Sequence, residues 1–284
     1  SAGRKAIKPY FEENDCLLFY PASYEGLEES ANIVYTGATP NQFVIPAIKW
    51  FAKDTKRKRV FLVGTDGVRP RAISTLIAEE LAKHKWTLAD SEFATVGTYD
   101  FAETIKQIGK RKPDLIINLL VGDSLVAFMK QLHQLRRHKD ELPVLCFTLG
   151  ESEMVALSAE ALTGHYVARA QFPLVDKDHP SPGFSQRFLK KYGQHRVVSE
   201  TMEAAYYGVH LWASVVRESG STSTHLVRNA LHSKEYTFEG LRFHVDPSTQ
   251  HTWKTFELGR IGPKNQVEVL KTDPEPLPPL PFPA

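Results

Sequence analysis

The stretch from Arg59 to Arg71, RVFLVGTDGVRPR, constrains the fold more than any other part of the chain. Val60 to Gly64 is almost wholly apolar, β-branched and aromatic, with no polar residue alternating, which is the pattern of a strand buried on both faces. It runs into Gly64-Thr65-Asp66-Gly67, a turn, and then into a helical pattern beginning near Pro70. The reading is a buried parallel strand that opens through a tight turn onto a helix. In an open α/β sheet ligands bind outside the carboxyl ends of the strands, so Thr65, Asp66 and Gly67 are candidates for a pocket wall.

The same unit recurs twice. Leu115 to Val121 runs into Gly122-Asp123-Ser124 and a helical pattern from Leu125 to Leu135, and Pro143 to Leu149 runs into Gly150-Glu151-Ser152. Strand, polar turn and helix at this spacing suit βαβ crossovers, and they aim three acidic or hydroxyl-bearing turns at one edge of one sheet.

A chain of 284 residues with 42% hydrophobic content can form two lobes of ordinary size, and its net charge of +2 makes no case for a nucleic-acid binder. The basic runs at 53–59 and 136–139 read as solvated helix ends that complement the helix dipole. Cys16 and Cys146 fall in apolar runs and read as separate buried core residues. No Cys/His cluster with zinc spacing and no HExxH pair is present, so neither a metal nor a cofactor is expected. No apolar run reaches the roughly 20 residues of a membrane span.

At the N-terminus a helical pattern places Ile7, Tyr10 and Phe11 on one face, with Ser1 in the capping position and no strand before it. Such a helix normally follows a strand, so further βα units are expected upstream. Asp15 to Tyr20 reads as a strand with Pro21 to Gly26 as the loop at its carboxyl end. Ile33 to Tyr35 reads as a short strand, followed by a turn and a helix from about Asn41 to Asp54. Trp86 to Thr95 is a further strand, Asp100 to Lys110 a crossover helix, and His165 to Phe172 a strand leaving this lobe. Helices are expected at 183–192, 201–219 and 223–232, then antiparallel strands at 241–245, 253–261 and 267–270, and a proline-rich exit at 274–283. Lobe one accordingly takes 1–56 and 174–245, lobe two 57–173, with 246–284 unassigned.

Several motifs fall in order along the chain: SxxRKA at Ser1 to Ala6, LFYPxxYEG at Leu18 to Gly26, NIVYTGATPNQ at Asn32 to Gln42, GTDxVxPR at Gly64 to Arg71, and MEAAYYGVHLWA with QHTWKT between Met202 and Thr255. They resemble type I periplasmic binding proteins, and within these the branch of urea ABC transporter substrate-binding proteins and amide sensors. The resemblance implies two Rossmann-like α/β lobes with parallel sheets and a ligand cleft, the first lobe incomplete here because the family begins with further βα units and a signal peptide. It implies a small polar ligand (urea, a short amide or an amino-acid-like molecule), an ABC transporter permease as partner, and a periplasmic or extracytoplasmic location. The alternative is a sensing module, cytoplasmic or joined to a membrane kinase, that works with a signalling domain.

Carried over by position, Ser1 resembles the ligand-binding residue at a helix start of lobe one, and Tyr20 and Ala22 take the second wall. In lobe two Asp66, Gly67, Gly122, Asp123 and Glu151 match the ligand-lining turns. Gly67 stands where relatives usually carry tyrosine, and Ala22 where the amide sensor has threonine. A missing tyrosine hydroxyl removes a hydrogen bond worth roughly 0.5–1.5 kcal/mol, so the pocket is expected to be larger or wetter and to favour a ligand longer than urea.

Each site residue also has a plainer role. Asp66 and Asp123 can cap the helices that follow them, and Tyr20 can be core. Tyr206, Tyr207 and Trp212 read as a core stripe, and His251 and Trp253 as packing residues. Asp66 or Ser152 would be the nucleophile of an enzyme, but no G-x-S-x-G, P-loop or paired histidine activates either, so no enzyme is expected.

Overall fold

A computed structural model describes residues 1–53, 58–136, 142–170, 182–238 and 241–283. The chain divides into two compact units. Unit 1 takes 1–42, 170–255 and 274–284, and unit 2 takes 43–169 and 256–273. The division at 56 expected from sequence thus falls earlier, between Gln42 and Phe43, and the unassigned tail is shared between both units.

In chain order α1 (Ala2–Glu13), β1 (Leu18–Tyr20) and β2 (Ile33–Tyr35) of unit 1 come first; unit 2 then begins with α2 (Val44–Phe51), and its sheet opens with β3 (Arg59–Thr65). It continues through α3 (Val68–Lys83), β4 (Thr87–Ala94), α4 (Ala102–Arg111), β5 (Leu115–Leu119), α5 (Gly122–Arg136), β6 (Val144–Cys146), α6 (Glu151–Val155), α7 (Ala159–Leu162) and β7 (Tyr166–Arg169). A strand pair, β10 (Glu257–Ile261) and β11 (Val267–Thr272), completes a sheet of order β11-β10-β7-β6-β5-β3-β4. The pairs from β4 to β7 are parallel, while β10 is antiparallel to both β7 and β11. All five residues of β5 are buried, four as apolar core and Asn118 with its Oδ1 accepting from Leu120 N at 2.8 Å, whereas the edge strand β11 alternates between half-buried and exposed. From β3 the chain passes to β4 on one side and then to β5 on the other. The carboxyl ends of β3 and β5 therefore flank a topological switch point.

Unit 1 contains α1 (Ala2–Glu13) and a two-stranded parallel sheet of β1 (Leu18–Tyr20) and β2 (Ile33–Tyr35). It continues with α8 (Pro182–Tyr192), α9 (Glu200–Ser219), α10 (Thr224–Ser233) and an antiparallel hairpin, β8 (Tyr236–Phe238) and β9 (Leu241–Phe243). Val34, Tyr207, Leu211, Val215, Val227 and Leu231 form its main core. The proline-rich segment is fastened back onto the unit by main-chain bonds from Leu27 N to Pro281 O (2.6 Å) and Leu277 N to Lys254 O (2.8 Å).

Four expectations are corrected. The apolar face of α1 is not its buried face: Ile7 is 44% and Tyr10 63% exposed, and the one buried residue is Arg4. Cys16 lies before β1 and is exposed, whereas Cys146 is buried in β6. In the α9 stripe Tyr207 is core, but Trp212 is 38% exposed beside an open groove lined with Leu17, Phe19 and Val209. The strand expected at 253–261 begins only at Glu257; upstream, Lys254 is joined to Leu277 by an isolated bridge instead. Of the basic runs, 54–57 and 137–140 lie outside the described residues, as do 171–181 at the end of the strand expected from His165 to Phe172.

Candidate functional site

In unit 1 two of the candidate residues, Ser1 and Tyr20, touch a buried charged cluster that the sequence pattern does not single out. Ser1 precedes α1 and Tyr20 ends β1, while Ala22 lies in the loop beyond; all three are half-buried. Ser1 occupies the N-cap position, yet its hydroxyl makes no bond to the helix and is given instead to Glu25 Oε2. One turn into α1, Arg4 donates to Glu25 Oε1 at 3.0 Å and to Glu28 Oε1 at 2.7 Å, with its guanidinium over the rings of Tyr24 (4.4 Å) and Tyr20 (4.8 Å). Lys5 adds a second cation 3.3 Å from Glu28. Behind them Tyr35 donates to Glu28 Oε1 at 2.9 Å and stacks on His251 at 4.0 Å, and the Tyr24 hydroxyl bonds His251 Nε2. His251 Nδ1 lies 2.6 Å from the Thr249 carbonyl oxygen, so Nδ1 carries the proton and Nε2 accepts from Tyr24.

The electrostatics follow from burial and pairing. Burial pushes the Glu25 carboxyl up, but the Ser1 hydroxyl, a backbone N–H and Arg4 outweigh it and leave it below the ordinary range. Glu28 is lowered in the same way, against burial, by bonds from Arg4 and Tyr35. His251 has the opposite balance: burial lowers it to about 4, so the ring is neutral at pH 7. The result is a fully ionised Arg–Glu–Glu core under an uncharged aromatic stack. Ala22 is held from behind by Gly37, whose N–H donates to the Tyr20 carbonyl at 3.2 Å. A side-chain carbon at 37 would fall 2.1 Å from the Ala22 carbonyl oxygen, so only glycine allows the two backbones to lie this close.

In unit 2 the turns after β3, β5 and β6 are stitched together at the carboxyl edge. Val121 N donates to Thr65 Oγ1 at 3.1 Å, and Thr148 Oγ1 donates to the Leu120 carbonyl at 2.5 Å. Asp66, Gly122 and Asp123 are exposed, and Gly67 and Glu151 half-buried. The helix-capping role open to Asp66 is not seen: Gly67 is the N-cap of α3, and Asp66 Oδ1 instead takes the Arg71 guanidinium at 2.9 Å, which lowers its carboxyl. Asp123 sits in the first turn of α5 with the Tyr99 hydroxyl 3.4 Å away. Glu151 pairs with Arg169, which also bonds the Leu149 carbonyl, and its other oxygen, Oε2, is buried with no partner among the described residues. Gly67 is extended, with φ −172°, and a side-chain carbon there would touch nothing nearer than Pro70 at 3.8 Å. A β-carbon at this position is therefore accommodated.

The model of the periplasmic binding protein domain matches residues 1–284. The chain belongs to this family. Solved structures agree in fold. An amino acid ABC transporter substrate-binding protein from Pseudomonas fluorescens Pf-5 superposes with a TM-score of 0.84 at 15% identity, covering 96% of this chain and 75% of that one. A solute-binding protein of an ABC transporter from Rhodopseudomonas palustris HaA2, in complex with p-hydroxybenzoic acid, gives 0.83 at 19% identity over 94% of this chain and 74% of its own. A leucine-binding protein from Thermotoga maritima gives 0.79 at 16% identity, covering 96% and 77%. Among curated proteins, a limonene hydroxylase from Geobacillus stearothermophilus is 22% identical over 126 residues, 44% of this chain, which spans only 23% of that protein's length. At these identities the solved structures carry the α/β fold, and the family match carries the membership.

Among the described residues no group of His, Cys, Asp and Glu is placed to hold a metal, and no helix is long and apolar enough to cross a membrane.

Proposed function

We propose that this periplasmic binding protein captures a small polar solute and delivers it to an ABC transporter permease in the periplasm. Its ligand contacts are Ser1, Tyr20 and Ala22 in unit 1 and Asp66, Gly67, Gly122, Asp123 and Glu151 in unit 2. The observation that carries the reading is the build of unit 1. A helix start and a strand end bring a hydroxyl and an aromatic ring, both half-buried, over a charged cluster whose members brace one another rather than face solvent. A binding site needs such polar groups held in place before the ligand arrives. The structural relatives support the solute-binding class: one is an amino acid ABC transporter substrate-binding protein, one an ABC transporter solute-binding protein holding p-hydroxybenzoic acid, and one a leucine-binding protein.

Within that class the motif resemblance favours urea, a short amide or an amino-acid-like ligand, and the open position at Gly67 favours one longer than urea. Titration calorimetry of urea, propionamide and leucine against the full chain tests the reading. Saturable binding of at least one, weakened about tenfold or more by Tyr20→Ala, is the expected result. Absence of binding by all three refutes it.

A further inference from the structure

We propose that the amino edge of the unit 2 sheet, at β5, β3 and β4, is a docking face for an anionic phospholipid surface. This edge lies opposite the turns that hold the candidate ligand contacts, so docking there and solute capture are separate properties of the chain.

Three chain segments are held side by side to build the face. Lys58 precedes β3 and Arg59 opens it, and the N–H groups of both donate to Asp114 Oδ2 at 3.0 Å, just before β5. Arg59 Nε donates to the carbonyl of Arg111, the last residue of α4, at 2.7 Å. On the other side Thr87 N, at the start of β4, donates to the Lys58 carbonyl at 2.7 Å. Lys58, Arg59, Lys85, Arg111 and Lys112 are thereby gathered at one edge, all of them exposed. Against these cations stand two half-buried carboxylates, Asp114 and Asp90, the latter 2.8 Å from Arg111 Nη2. Glu80 is answered by Lys83 and the His84 ring. Two of the lysines stand where glycine would be less strained. Lys85 follows the end of α3 with φ 59°, and Lys112 is the C-cap of α4 with φ 47°, both in the left-handed region. Complementing the helix dipoles does not account for them, because Lys83 already stands in the last turn of α3, and Lys110 and Arg111 in that of α4. The absence of apolar surface here selects the partner. Trp86, between Lys85 and β4, is buried, while exposed apolar side chains of unit 2 such as Val68, Val96, Tyr99 and Val121 follow the carboxyl ends of strands. A protein partner is held through an apolar core inside a polar rim, and a single-stranded nucleic acid through stacked aromatic rings. Long-stemmed cations without either suit phosphate headgroups, which attract each lysine or arginine about fivefold and are screened by salt.

Flotation of the full chain with vesicles of phosphatidylcholine containing about 30% phosphatidylglycerol, against vesicles of phosphatidylcholine alone, tests this. The expected result is binding to the anionic vesicles only, weakened about tenfold or more between about 0.05 M and about 0.3 M salt. Lys85→Gly combined with Lys112→Gly is expected to weaken binding about twentyfold while the melting temperature stays equal or rises, since glycine relieves both left-handed positions. A purely structural role for these lysines predicts the reverse, a lower melting temperature with unchanged binding, and that result would overturn the proposal. Lys190→Gln combined with Lys191→Gln removes the same charge from α8 in unit 1 and is expected to change binding less than about twofold; a loss equal to that of the glycine pair would assign the binding to net charge and overturn the docking face. Should the glycine pair fail to fold, Lys58→Gln, expected to cost about fivefold, carries the same test. No binding to anionic vesicles at low salt overturns membrane docking and leaves solute capture untouched, and tighter binding to duplex DNA than to the vesicles at equal salt overturns it in favour of a nucleic acid.

Discussion

Replacing Arg4 with methionine keeps the apolar stem of the side chain and removes its charged head, which strands Glu25 and Glu28 in a cluster built around it. The three side chains are 0%, 1% and 5% exposed. Removing one partner of a buried ion pair costs about 3–5 kcal/mol, because the remaining charge has neither water nor a counterion. Two features hold the loss within that range although two carboxylates are affected. Lys5 remains 3.3 Å from Glu28 and 3.8 Å from Glu25, and its 38% exposure makes it a weak substitute. The stranded carboxyls can also take up protons, at about 1.4 kcal/mol for each pH unit above their solution pKa. Arg4→Met should therefore lower the stability of unit 1 by about 4 kcal/mol at pH 7, or roughly 8–16 °C in its melting temperature. The deficit should shrink by about half at pH 5, where protonation is cheap. Urea unfolding followed by far-ultraviolet circular dichroism at both pH values measures it. A loss below about 1 kcal/mol at pH 7, or one of the same size at pH 5, would show that Arg4 does not hold the cluster together.

Gly37→Ala should destabilise unit 1 by about 3 kcal/mol, because its new carbon would sit 2.1 Å from the Ala22 carbonyl oxygen with backbone on both sides; a melting temperature within 2 °C of the unaltered protein would contradict the close approach. Gly67→Tyr should fold normally, since its carbon meets only Pro70 at 3.8 Å, and should tighten urea binding about two- to tenfold by calorimetry; unchanged affinity would remove Gly67 from the ligand wall. Acid should weaken unit 1 in two overlapping steps. His251 binds its second proton near pH 4 in the folded chain against 6.5 when unfolded, so its contribution is full above pH 6.5 and lost as pH falls towards 4. Glu25 and Glu28, lowered in the fold from 4.5, contribute fully above that value and lose their part below it. Thermal melts from pH 7 to 3.5 follow both steps, and His251→Gln should flatten only the upper one. A stability independent of pH between 6.5 and 4 would refute the neutral, buried histidine.

Much of unit 2 could be read from the chain because its strands are buried on both faces and punctuated by glycine turns. Val60 to Val63 and Leu115 to Ile117 are unbroken apolar runs, and local pattern and final environment agree. Unit 1 was legible in its helices and misleading at α1. Hydropathy assigns Ile7 and Tyr10 to an interior and Arg4 to solvent, and the structure reverses both. Arg4 is buried because Glu25 and Glu28 lie 21 and 24 residues away in a loop that folds over it, a pairing with no local signature. The only trace was that Arg4 and Glu25 stand inside two of the motifs that carried the family resemblance. Cys16 misled for a related reason: it adjoins an apolar run, but β1 starts two residues later. The hydroxyl of Ser1 was placed correctly at a helix start, but its bond to Glu25 depends on that same loop and could not be inferred from capping preference.

The interleaving of the two units along the chain has a consequence for synthesis. The parallel strands of unit 2 lie between residues 59 and 169, so most of its sheet can assemble while the ribosome is still translating the second half. Unit 1 has no such opportunity. Its ring stack joins Tyr35 to His251, and the loop that covers Arg4 is tied at Leu27 to Pro281. Until His251 and Pro281 emerge, residues 1–42 can form the Arg4–Glu25–Glu28 ion pairs but lack the ring stack and the main-chain tie that cover them. A nascent chain arrested near residue 200 is therefore expected to resist proteolysis in its middle and be cut at its beginning.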